Sequence, residues 1–370
     1  MQLIRATEAD SDRLKEFFRH RLLPGPIDFS IERRGSFFAH YRLQSEDFET
    51  LLLIDDHGEL AGLATLLFRT GLVNGEKQTW GVACDLRIAP SRKAVVQWAQ
   101  HFLPELERLT AARGCRYVFS AMQLYDNQAY NALVRPQPER RAMPRYYQVT
   151  KFRLMCLHGR VPFAPRPLAT IDLKPADLND LEELCAFLAA RALKKPVALL
   201  HEPERFLKRL SRWPGLELSD FRLARDRRGK LLGCAALWDG RDVQAFVPQT
   251  YKGLAHTAHQ SLNFAAWLGL ARPTAQPLET MPMRYLTHLA SESADVFHSL
   301  VHEAFTRLEN NEFLAYGHFR GSYATLPPRG WIATSLPFGL FLVLPPTETA
   351  PNWLLPGPQT MPPEFEVAWL

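Results

Sequence analysis

The chain has 370 residues, 46% of them hydrophobic and 22% charged, with a formal net charge of +5. That length and balance suit about two globular domains and exclude a fibrous or disordered chain. No apolar run reaches the roughly 18 to 20 residues of a membrane helix, and the opening MQLIRATEADSDRL lacks a signal peptide's basic and apolar regions, so no membrane is expected and the expected compartment is cytoplasmic.

In the first half, hydrophobic spacing predicts a strand at about 2 to 6, helices at about 11 to 22 and 30 to 42, and strands at about 49 to 55, 59 to 69 and 78 to 89. A long helix at about 93 to 113, a strand at about 116 to 122, a short helix from about Asn127 and a strand at about 146 to 157 follow. The proline-rich stretch 159–168 reads as a linker, since proline fixes φ and removes a backbone donor. The five cysteines, Cys84, Cys115, Cys156, Cys185 and Cys234, are odd in number and sit in apolar contexts, as buried reduced thiols do.

The second half repeats the order: a strand at about 169 to 173, helices at about 177 to 194 and 202 to 211, and strands at about 218 to 225, 230 to 238 and 242 to 248. A helix at about 255 to 270, a strand at about 283 to 290, a helix at about 293 to 309, and strands at about 312 to 319 and 336 to 344 complete it. Residues of IDDHGELAGLATLLF (54–68) return within ARDRRGKLLGCAALW (224–238) at an offset of 171, pairing Asp55 with Asp226, Gly58 with Gly229, Gly62 with Gly233 and Ala64 with Ala235. Each copy is a hairpin with an Asp and Gly turn, and each half opens with a short strand and an acidic helix cap at Asp10 and Asp177. Duplication follows, giving domains over 1–158 and 169–345 and a proline-rich tail over 346–370. In that tail Trp353, Leu354, Leu355, Phe365 and Trp369 suggest docking.

This element order resembles the GNAT superfamily of acyl-CoA-dependent N-acyltransferases. The resemblance implies an α/β fold of two tandem GNAT-like domains, each a mixed, mostly antiparallel sheet flanked by helices. It also implies acetyl-CoA or another acyl-CoA as donor, its arm lying between splayed fourth and fifth strands and its diphosphate on backbone amides where the next helix begins. In the first half Arg92 stands at the family's arginine position with Lys93 beside it, but Val95 and Gln97 replace the small residues. In the second half Tyr251, Lys252, Gly253, Leu254 and Ala255 keep a Gly-x-Ala ending, while Thr250 replaces the arginine. Of the two loops, the second better suits CoA.

Amide-forming acyl transfer requires a base for the amine, donors for the oxyanion and an acid for the thiolate. The candidate bases are Asp85 on the fourth strand and His288 on the fifth. For the acid, His298 occupies the second half's tyrosine position, and Tyr125 and Tyr130 lie near the corresponding helix of the first half. Tyr316 and His318 on the sixth strand are further catalytic candidates, of which only one can reach the cleft. The bland alternatives are an ion pair for Asp85 and a hydrogen-bonded core histidine for His288. His298-x-x-x-His302 and His256-x-x-His259 carry a zinc-like spacing but lack further ligands, and no metal is expected.

The expected function is transfer of an acyl group from acyl-CoA, with acetyl transfer as the first expectation, to a small-molecule or peptide amine, with one half catalytic and the other structural. A non-catalytic scaffold is the competing reading. A third uses aminoacyl-tRNA or a carrier, supported only by the basic stretch from Arg135, Arg140 and Arg141 to Arg153; the weak net charge does not otherwise point to nucleic acid. Acceptor, acyl length and oligomeric state stay open.

Overall fold

The computed structural model describes residues 1–125, 130–134, 144–346, 348–354 and 361–370. The basic residues Arg135, Arg140 and Arg141, the predicted helix start at Asn127 and the tail residue Leu355 lie outside them.

The first half comprises β1 (Gln2–Arg5), α1 (Ser11–His20), β2 (Ile27–Arg33), α2 (Ala39–Gln44), β3 (Asp47–Ile54), β4 (Leu60–Val73), β5 (Glu76–Ile88), α3 (Arg92–Ala112), β6 (Tyr117–Gln123) and β7 (Arg145–Arg160). The second comprises β8 (Asp172–Pro175), α4 (Leu181–Ala192), β9 (Val197–Leu199), α5 (Pro203–Leu210), β10 (Phe221–Arg225), β11 (Leu231–Trp238), β12 (Gln244–Tyr251), α6 (Gly253–Trp267), β13 (Met283–Ser291), α7 (Ala294–Thr306), β14 (Phe313–Phe319) and β15 (Trp331–Leu344).

The repeated sequence features form repeated local structure. The Asp10 carboxylate accepts from the Thr7 amide at 2.8 Å and the Asp180 carboxylate from the Asp177 amide at 3.0 Å, so both halves open on the same reciprocal cap. In the β3–β4 turn Asp55 accepts from the His57 and Glu59 amides, and in the β10–β11 turn Asp226 accepts from the Arg228 and Lys230 amides. Gly58 and Gly229 close these turns at the same φ of 83°, a left-handed conformation that favours glycine.

One large sheet runs β1-β3-β4-β5-β6-β15-β7-β14-β13-β11-β10-β8, with β9 added beside β4. The order is pseudo-symmetric about its centre, where β15 and β7 pair antiparallel from Trp331↔Arg160 to Leu344↔Arg145. The final strands are exchanged: β15 of the second half completes the first half's sheet beside β6, and β7 of the first half completes the second's beside β14. One face is filled under α3 by Leu51, Leu66, Phe68 and Trp98, and under α7 by Leu286, Phe297, Leu300 and Tyr316. A continuous core from Leu14 through Phe152 to Trp369 covers the other.

Two elements differ from the sequence expectations. Of the helix expected at about 30 to 42, only the end is helical, in α2; its first residues, up to Arg33, belong instead to β2, which pairs with β12 in a separate two-stranded ribbon from Ile27↔Tyr251 to Arg33↔Gln244. Phe29 and Ile31 are buried by that pairing, a contact more than two hundred residues distant that overrides local helical spacing. Consequently β12 is absent from the second half's sheet, and β13 takes the fourth-strand place beside β11. The β12–α6 segment is an insertion between β11 and β13.

Candidate active site

The first half's cleft is built by β5. Its ladder with β4 pairs Cys84 with Thr65 and next Arg87 with Leu63, so Asp85 and Leu86 together oppose Ala64 in a β-bulge with Asp85 at φ 58°. On its other side β5 runs parallel to β6 only from Trp80↔Tyr117 to Val82↔Phe119, and the strands part three residues before the bulge. Both sides of that gap, from Val82 to Arg87 and from Ser120 to Gln123, line a cavity of about 620 Å³. The cavity continues over Leu154, Cys156 and His158 of β7 and Thr334, Leu336 and Phe338 of β15, roofed by β2, β12, α6 and residues Phe365, Val367, Trp369 and Leu370.

Asp85 is held by buried partners. Its carboxylate accepts from Arg33 Nη2 at 2.6 Å and from the Tyr41 hydroxyl at 2.8 Å. Burial by itself would raise this carboxyl, but the Arg33 charge, with His40, Arg87 and the Tyr41 bond, holds it below the ordinary carboxylate value. Arg33 lies 5.0 to 5.3 Å from the rings of Phe18, Phe37 and Tyr41, and its side chain is only 1% exposed. The ion pair thus braces the bulge from behind.

From the roof, Tyr251, Lys252, Leu254 and Ala255 line the same cavity as Asp85. Gly253, at φ 49°, begins α6, and Lys252 is paired with Asp28 at 2.6 Å. Arg92 and Lys93 stand at the exposed start of α3, capped by Ser91, and lie outside the cavity lining; Lys93 bonds Asp56 at 2.6 Å. His288 lines a different cavity, of about 400 Å³, in the second half. Its ring packs against Phe206, Trp213 and Phe221, and burial, reinforced by Arg209 and His201, lowers it to about 3. Tyr316 is fully buried against Phe297 and donates to the Thr325 carbonyl at 3.2 Å, with burial holding its phenol well above its ordinary value. His298 lies half-buried on α7, its imidazole lowered by burial. Neither Tyr316 nor His298 lines either cavity.

Tyr125, 52% exposed, reaches the cavity rim from the end of β6. Two further groups there, and Arg33 behind the bulge, were not singled out for the reaction by sequence. His259 lines the cavity from α6, with Nδ1 2.6 Å from Thr274 Oγ1 and its ring stacked 4.1 Å from Tyr251. His158 shares a hydrogen bond of 3.0 Å with Thr334 and is lowered to about 4 by burial. Arg33 was hidden inside the predicted helix. The zinc-like spacing marked His259 as a helix-face residue, the one signal that singled it out at all.

Such a site can do three things. The gap between β5 and β6 offers an extended arm a place beside strand edges, the bulge turns backbone at Asp85–Leu86 out of the ladder toward the gap, and neutral imidazoles on the far wall can accept a proton.

No protein-family model matches the sequence, and no curated protein matches it. Solved structures do match the fold. Saccharomyces cerevisiae N-myristoyltransferase, solved with bound myristoyl-CoA and inhibitors, aligns at a TM-score of 0.56 and 9% identity over 92% of this chain and 79% of that one. The same enzyme with bound myristoyl-CoA aligns at 0.54, covering 92% and 78%. A GCN5-related glucosamine N-acetyltransferase region of a fungal multi-domain β-N-acetylglucosaminidase aligns at 0.51 and 12% identity, over 92% of this chain and 38% of that one. The alignments cover 92% of this chain, across both halves of the large sheet, and the chain shares the fold of these N-acyltransferase structures.

Proposed function

We propose that the protein is an acyl-CoA-dependent N-acyltransferase whose first half binds the donor and whose acceptor amine approaches from the β12–α6 side. The observation that carries this reading is the gap between β5 and β6, opening at the Asp85 bulge onto a cavity of about 620 Å³. In this reading the arm of the acyl-CoA lies along the parted strand edges with its carbonyl at the bulge. Amides at Asp85–Leu86 steady the oxyanion as the amine adds, and the tetrahedral adduct then expels the thiolate. Asp85, committed to Arg33 and Tyr41, braces the bulge and leaves proton transfer to a group on the far wall, for which His259 is the best placed. Tyr125 at the rim is the candidate acid. Arg92 and Lys93 offer the diphosphate side-chain charge at the start of α3, where Ser91 already occupies the Ala94 amide.

The lining is mostly apolar and far larger than an acetyl group, which favours a longer acyl chain. Isothermal titration with acetyl-CoA and a series of longer acyl-CoAs tests this. Each added methylene that finds a place in the cavity contributes about 0.8 kcal/mol, roughly a fourfold gain in affinity. A scaffold would release no heat with any of them. Gly253→Val separates the two candidate diphosphate loops: unchanged affinity assigns the diphosphate to Arg92 and Lys93, and lost binding assigns it to α6.

A further inference from the structure

The second half carries a cleft of the same construction. Its β11–β13 ladder pairs Ala236 with Thr287 and next Cys234 with Ala290, so His288 and Leu289 oppose Ala235, the residue that the sequence repeat aligns with Ala64. His288 has φ 51°, matching Asp85 at 58°. Strands β13 and β14 are parallel only from Met283↔Phe313 to Tyr285↔Ala315 and part three residues before the bulge, as β5 and β6 do. Ser293 caps α7 through the Val296 amide as Ser91 caps α3 through the Ala94 amide. Two matched clefts would suggest two donor sites.

The second cleft, however, already has an occupant. Residues 361–367 line it, and the Glu366 carboxylate accepts from the His288 amide, the bulge amide itself, at 2.9 Å. Glu364 is anchored beside it: its amide donates to the Val197 carbonyl at 2.8 Å, and its carboxylate accepts from the Leu199 amide at 3.2 Å and pairs with His201 at 3.2 Å and Lys195 at 3.7 Å. Gly317 of β14 leaves room for Val367, whose Cγ1 lies 2.9 Å from where a Cβ would stand. The helix start is also unlike the first: Glu292 and Asp295 flank it where Arg92 and Lys93 flank α3, so a diphosphate would meet carboxylates. From this anchorage the chain continues to Trp369 and Leu370 in the first cavity's wall.

We infer that the second cleft is a socket for the chain's own segment 361–367, leaving one donor site per chain, and that Glu364 and Glu366 are positioning residues that hold Trp369 and Leu370 against the acyl cavity. The donor-site part rests on the acyltransferase reading; the socket does not. The test uses the full chain with Glu366→Ala, Glu366→Gln and Gly317→Val, read by amide hydrogen exchange at His288 and Leu199 and by acyl-CoA titration. Exchange at His288 should rise about tenfold in Glu366→Ala and in Gly317→Val, with the β7–β15 centre unchanged, and should stay near the wild-type rate in Glu366→Gln, which keeps an acceptor oxygen. Wild type should bind one acyl-CoA per chain, and Glu366→Ala should bind it more weakly. Unaltered His288 exchange in both Glu366→Ala and Gly317→Val overturns the socket. Two acyl-CoA molecules per wild-type chain overturn the single donor site. Raised exchange with unchanged acyl-CoA affinity overturns the positioning role. If wild type binds no acyl-CoA, the functional reading fails while the exchange arm still decides the socket.

Discussion

Arg33 and Asp85 illustrate how much of the candidate site depends on a buried ion pair beneath the bulge. The Arg33 side chain is 1% and that of Asp85 11% exposed, and each is costly to bury without the other. Arg33→Met should lower stability by about 3 to 5 kcal/mol, because it leaves an uncompensated carboxylate under the bulge; chemical denaturation of the variant beside wild type measures it. Asp85 is held below its ordinary value, so its contribution is present above the unfolded carboxyl's range and is lost as pH falls through the folded value. Acid unfolding should therefore steepen below about pH 4, and less so in Asp85→Asn. Glu366 has the opposite sign. Burial and the neighbouring Glu364 raise it to about 7 against the His288 amide and Lys195, so the folded chain binds a proton there that the unfolded chain does not. Its charged form costs stability as pH rises from the ordinary glutamate range through about 7, and Glu366→Gln should be more stable than wild type at pH 8 and nearly equal to it at pH 5, read by thermal unfolding. Neither the Arg33–Asp85 pair nor the Glu366–His288 contact was visible in the sequence: Arg87 stands only two residues from Asp85, and Arg33 lay inside the expected helix.

Among elements, the hairpins and caps were legible because their chemistry is local. An Asp followed three residues later by Gly writes its turn directly, and it did so at Asp55–Gly58 and Asp226–Gly229 with matching bonds. The bulges were not legible. A non-glycine residue at positive φ is rare, and nothing in Asp85 or His288 announces it; the strand pairing on both sides imposes it. The β2–β12 ribbon and the displacement of β12 from the large sheet likewise depend on partners far apart in sequence. That displacement explains why the Gly253 loop resembled a strand-to-helix junction of the sheet without occupying one. Gly71 offers a test of packing at this scale: a Cβ there would stand 2.3 Å from the Ala198 carbonyl oxygen and 2.5 Å from Trp80 Nε1, so Gly71→Ala should separate β9 from β4 and cost about 1 to 3 kcal/mol, measured by denaturant unfolding.

Across the whole molecule, the exchanged final strands make the halves interdependent. Without β15 the first half would leave β6 with an open edge, and without β7 the second would leave β14 with one. One cooperative unfolding transition is expected in calorimetry; two separated transitions would show that the halves stabilise themselves. The same exchange lays the candidate cavity across the centre of the sheet, with the β5–β6 gap in the first half and its far wall drawn from both. The most direct test of that placement is a photoreactive acyl-CoA cross-linked to the full chain and mapped by mass spectrometry. Adducts on Val82–Leu86 and Ser120–Gln123 are expected, and adducts confined to Leu286–Ser291 and Gly317–Arg320 in the second half would contradict the account.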